Sequence, residues 1–127
     1  MTVADAKRAR YGLRKPSPIG SIVAAATPIT VFIHSAGRTL NVRKIHITNR
    51  NAAATVVQIG QGLAGAFVQA IPSYYAVGGG MDLEITEDQI PDVEFTGDVT
   101  AQASVAAAAP NDVQIQVEVE EYQGPNG

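Results

Sequence analysis

The chain has 127 residues, 46% hydrophobic and 17% charged, with a formal net charge of −3 and no cysteine. A single domain of this length buries roughly two thirds of its unfolded surface unaided, and the missing thiols exclude a disulfide framework, a cysteine nucleophile and a cysteine-based zinc site. The longest apolar run, "IVAAATPITVFI" at 22–33, contains Pro28 and is about half of the ~20 residues a membrane-spanning helix needs. No signal peptide or lipidation box is expected, which points to assembly in the cytoplasm.

Charge is informative by position. All nine cations (Lys7, Arg8, Arg10, Arg14, Lys15, Arg38, Arg43, Lys44 and Arg50) fall in residues 1–50, with Asp5 as the one acid there. Residues 51–127 carry eleven carboxylates and no Lys or Arg. Such polarity predicts a partner-binding tail, or copies of one protein meeting basic surface to acidic surface.

Residues 1–19 mix charge with Gly12, Pro16 and Pro18 and show no period, so they read as a basic N-terminal arm, disordered alone and ordered by a partner. From residue 20 the period is two, as in strands. "PITVFIH" (28–34) is β-branched and aromatic, and the turn "SAGR" follows it. In "TLNVRKIHITN" (39–49), Leu40 and Val42 share one parity and Ile45 and Ile47 the other, which predicts a bulge near Arg43 and Lys44. "TVVQIG" (55–60) and "AFVQAI" (66–71) read as strands, and "PSYYAVGGG" (72–80) reads as a long connection. "MDLEI" (81–85) alternates cleanly, "VEF" (93–95) is short, and "VTAQASVA" (99–106) and "VQIQVEVEEY" (113–122) alternate again. Eight or nine short strands with Gly, Pro and Asn turns predict an all-β, antiparallel β-sandwich over 20–123, with 124–127 a flexible C-terminal tail. Jelly-roll and immunoglobulin-like connectivities fit this pattern about equally.

Chemistry is sparse. His34 and His46 lack a nucleophile motif and the spacing of a metal pair, and read as surface or edge histidines. Glu87, Asp88 and Asp92 read as a solvated acidic turn, since the ligand alternation of a calcium loop is missing. "GQGLAG" (60–65) precedes a strand, not the helix a phosphate cradle needs. Tyr74 and Tyr75 read as a pair packing over the rim of the sandwich, and would be the platform if the domain were a carbohydrate-binding module.

"GRTLNVRKIHITNRNAAATVVQIG" (37–60) and "IPDVEFTGDVTAQASVA" (90–106) resemble small virion structural proteins of tailed bacteriophages, most of all capsid decoration (cement) proteins. The resemblance implies a compact jelly-roll-like β domain, often trimeric, with an N-terminal arm lying on the capsid. The expected protein is therefore a non-enzymatic virion component, without cofactor or metal, that binds the outer capsid surface as an oligomer, a trimer being favoured. A tail, fibre or head-to-tail junction component is the alternative. Lys7, Arg8, Arg10, Tyr11, Arg14 and Lys15 are the expected partner-binding residues, with the major capsid protein as partner. Nucleic acid is not expected, because the acidic body repels phosphate. Arg38, Arg43, Lys44 and Arg50 are the expected subunit-interface cations, meeting the acidic half of a neighbour.

Overall fold

A computed structural model describes residues 13–22, 27–63, 65–103 and 113–123. Its elements in chain order are β1 (Leu13–Pro16), β2 (Gly20–Ser21), β3 (Ile29–Phe32), β4 (Arg38–Asn49), β5 (Thr55–Gln61), β6 (Val68–Gln69), β7 (Tyr75–Val77), β8 (Met81–Ile85), a 3₁₀ turn η1 (Glu87–Gln89), β9 (Glu94–Phe95), β10 (Val99–Ala103) and β11 (Val113–Gln123). All pairings are antiparallel.

The strands form two sheets. Sheet A runs β1, β11, β4, β8, with β2 extending β1 along β11 and β9 extending β8 along β4. Sheet B runs β3, β10, β5, β6, with β7 further along β5. Counting β1/β2, β6/β7 and β8/β9 as interrupted single strands leaves eight among the described residues, and successive strands lie in different sheets at every step except β5 to β6. That is jelly-roll connectivity, with an immunoglobulin-like order excluded by the neighbours of β4 and β11.

The core lies between the sheets. From sheet A, β11 contributes Val113, Ile115, Val117 and Val119, and β4 contributes Leu40, Val42, Ile45 and Ile47. Val57, Ile59, Val99, Ala101 and Ala103 answer from sheet B, and Phe95 is fully buried. Each Val, Ile or Phe so buried contributes about 1.5–3 kcal/mol.

The switch of parity within β4 is resolved by a bulge. Glu118 faces Lys44 and Val119 faces Val42, so Arg43 is the extra residue. Arg43 and Lys44 consequently both lie on the outer face, while apolar residues stay inward on either side. At the far end of β4, Asn49 is fully buried. Its amide donates to the carbonyls of Ala53 (2.9 Å) and Val77 (3.1 Å), and its oxygen accepts from the Asn51 N–H (3.0 Å). One side chain thus ties the 51–54 turn to β7.

Three local expectations change. The sheet begins inside the stretch read as arm, because Leu13–Pro16 pairs with Glu121–Glu118; Ser17 then bridges to β2, donating its N–H to the Val117 carbonyl (2.7 Å) and accepting the Val117 N–H on its hydroxyl (2.9 Å). Pro16 is tolerated there because β1 is an edge strand. The 72–80 connection contains β7, whose Tyr75 and Val77 enter the core. The 66–71 strand shrinks to Val68–Gln69, with Val68 exposed. Residues 1–12, the 104–106 end of the strand expected over 99–106, and the 124–127 tail lie outside the described residues.

Candidate functional site

The two outer faces differ in chemistry. The strands of sheet B (ITVF, TVVQIGQ, VQ, YAV, VTAQA) contain no Asp, Glu, Lys or Arg. Their outer face is crossed by a glutamine ladder: Gln102 Nε2 donates to Gln58 Oε1 (2.7 Å) and Gln58 Nε2 to Gln69 Oε1 (3.1 Å). Charge within the strands is confined to sheet A.

On sheet A the charges interlock. Arg14 in β1 binds Glu118 in β11 (3.2 Å) and Glu87 in η1 (2.8 Å). Arg43 is 6% exposed and donates Nη2 (2.8 Å) and Nε (3.1 Å) to Glu120 Oε1, with Asp92 at 3.3 Å from Nη1. Lys44 reaches Glu84 in β8 (2.8 Å), and Lys15 reaches the buried Glu121 (2.8 Å). Asn41 donates to Asp92 (2.8 Å) and accepts from the Tyr122 hydroxyl, continuing the network toward β9. Hydrogen bonding to Glu87 raises the Arg14 pKa. The Lys44–Glu84 hydrogen bond raises the ammonium and holds the carboxyl below the usual carboxylate range.

These contacts locate the residues singled out in the sequence. Arg14, Lys15, Arg43 and Lys44 all pair within the chain, because the strand order places the basic β1 and β4 on either side of the acidic β11, with the acidic β8 beyond β4. The sequence carries this signal in the bulge and in the outward glutamates of "VEVEE", but not the strand order that joins them. Arg38, which opens β4, and Arg50, just past its end, make no ion pair among the described residues. Lys7, Arg8, Arg10 and Tyr11 lie outside the described residues.

The histidines stand apart. His34 Nε2 bonds the Arg38 carbonyl (2.6 Å), closing the β3–β4 turn, and His46 sits opposite Glu84 on the outer face with Asp82 at 4.0 Å. Among the described residues no group of three or more His, Asp or Glu is placed to hold a metal ion. The tyrosine pair is split: Tyr74 is exposed, whereas Tyr75 is buried and burial pushes its phenol pKa up. An open apolar groove of about 390 Å³ lies between the edge strands β2 and β3, lined by Ile19, Val31, Phe32 and Ile33. Among the described residues, no helix is long and apolar enough to cross a membrane.

No protein-family model matches the chain, and no curated protein sequence matches it. Solved structures similar to it include the following. Bacillus endospore appendages, described as disulfide-linked pili, share 15% identity over 89% of this chain and 88% of that one, with a TM-score of 0.45. The cyanophage Pam1 capsid asymmetric unit shares 19% over 90% and 87%, with a TM-score of 0.42. Infectious bursal disease virus, Gx strain, shares 15% over 89% of this chain and 34% of that one, with a TM-score of 0.39.

Proposed function

We propose that this protein is a non-enzymatic structural component of a tailed-phage virion, binding the outer surface of the head as an oligomer and stabilising or decorating it. The observation that carries this reading is the division of the jelly roll into a charge-knit sheet A and a charge-free sheet B, with a basic N-terminal segment leading into an edge strand. Jelly rolls of this kind serve as virus coat and lectin domains. A sheet without charged side chains loses little on desolvation when it lies flat on another protein. The two stretches resembling decoration proteins supply β4–β5 and β9–β10, strands of both sheets. Several weak contacts per subunit, multiplied over an oligomer such as a trimer, give the avidity a shell lattice needs.

The test is binding of the purified full chain to phage heads and to tails, located by electron microscopy of labelled particles. Label over the capsid faces, weakened by Val56→Glu or Gln102→Glu on the outer face of sheet B, is the expected result. Label at the tail would move the protein to the alternative site, and label on neither would overturn the virion reading.

A further inference from the structure

The outward charges of sheet A alternate in sign from strand to strand: β1 basic, β11 acidic, β4 basic, β8 acidic. Each boundary is closed by an ion pair, Arg14 with Glu118, Arg43 with Glu120 and Lys44 with Glu84. The alternation stops at β8, which among the described residues pairs on one side only, with β4. Its outward Asp82 and Glu84 are 65% and 54% exposed. On its inward side Met81 is exposed and Leu83 half-buried, so the core is incompletely covered at this edge. An open edge of this kind accepts a further strand, with cations at alternate positions outside and apolar residues between them.

The chain contains such a segment. In "KRARYG", residues 7–12, Arg8 and Arg10 share one parity, and Ala9 and Tyr11 share the other. We propose that residues 7–11 of one copy add as a strand to the open edge of β8 of a second copy. Arg8 and Arg10 then face Asp82 and Glu84, while Ala9 and Tyr11 cover Leu83 and Met81.

Reach requires the donor to be another copy. Leu13 is level with Glu121 and Leu40 at the opposite edge of the sheet, whereas Glu84 is level with His46. Three strand spacings are about 14 Å, and the five ladder steps from Leu40 to His46, leaving out the bulged Arg43, are about 16 Å; Leu13 and Glu84 are therefore about 22 Å apart. Fully extended, Arg10 lies within about 11 Å of Leu13 and Arg8 within about 18 Å. Donation is thus directional, from the β1 edge of one copy to the β8 edge of the next, and closes a ring or propagates a filament. It rests on residues 1–12 being an arm that grips acidic protein, not on the head location.

The experiment is the mass of the full chain in solution, by light scattering after size exclusion. The wild type is expected to be an oligomer weakened by salt, and Arg8→Glu/Arg10→Glu and Asp82→Lys/Glu84→Lys are each expected to associate about tenfold or more weakly. Mixing the two variants must restore assembly, since each supplies the sign its partner has lost. A monomeric wild type, or reversed variants that keep wild-type mass, would overturn the proposal. The Arg8→Glu/Arg10→Glu variant changes none of the described residues, so the test survives if the β8 variant misfolds. Reversals that spare the oligomer but abolish head binding would sink this inference and leave the proposed function standing.

Discussion

Replacing Arg43 by alanine removes the guanidinium that holds the outer face of sheet A together at the β4 bulge. Arg43 and Glu120 are 6% and 12% exposed, and two of the guanidinium nitrogens converge on Glu120 Oε1 at 2.8 and 3.1 Å. Truncation leaves Glu120 charged in a nearly dry site, a change that costs about 3–5 kcal/mol for a buried pair. Asp92 and Glu87, the other carboxylates around Arg43, are 58% and 50% exposed and regain water, which favours the lower end. The expected loss is about 3 kcal/mol, or about 10 °C in Tm for a chain of this size. Arg43→Lys keeps the charge but not the fork and should lose about half as much. Arg43→Met with Glu120→Gln removes the stranded charge and keeps an apolar stem, so it should fall within about 1 kcal/mol of the parent. Thermal and urea unfolding of the four proteins reads these differences directly. If Arg43→Ala costs less than about 1 kcal/mol, the ion pair is not what fixes the bulge.

Two glycines separate crowding from backbone conformation. A Cβ at Gly60 would sit 2.0 Å from the Val68 carbonyl oxygen, whereas Gly37, at φ 77°, has open space around it. Gly60→Ala should therefore lower stability by more than about 2 kcal/mol and Gly37→Ala by about 1–2; equal urea midpoints would contradict the close packing of β5 on β6. For the Lys44–Glu84 pair, the Glu84 carboxyl titrates below its ordinary value. Its stabilising contribution is thus present above about pH 4.3 and is lost as pH falls through the lower folded value. A carbon-detected NMR titration should find a depressed Glu84 midpoint that returns to the ordinary range in Lys44→Met, and an unchanged midpoint would remove the pair from the account.

The sequence announced more of the strands than of their partners. Alternation is local, so "MDLEI" and "VQIQVEVEEY" are readable from period alone, and the parity switch between Val42 and Ile45 marks the bulge because an inward charge at 43 or 44 would be too costly. Partner choice is non-local, and no periodicity within β4 says that it lies between β11 and β8. The same gap explains Arg43 and Lys44, expected to meet a neighbouring subunit: the segregation of sign along the chain was plain, but the topology that neutralises it inside one sheet was not. β7 is hard to read from the sequence because glycines and a proline flank its three residues. Tyr75 carries the β-forming signal there, and its neighbour Tyr74 made the pair look like a surface feature.

Segregated sign also bears on how the sheet comes together. Every ladder in sheet A joins strands distant in sequence, such as Leu13 with Glu121 and Ile47 with Ile115. Such closures are entropically expensive and slow. Along this chain neighbouring basic segments repel, as do neighbouring acidic ones, while the two ends attract over the screening length of the solvent. Electrostatics therefore opposes premature local hairpins in sheet A and rewards the encounter of the N-terminal strands with β11, so added salt should slow refolding more than it lowers final stability.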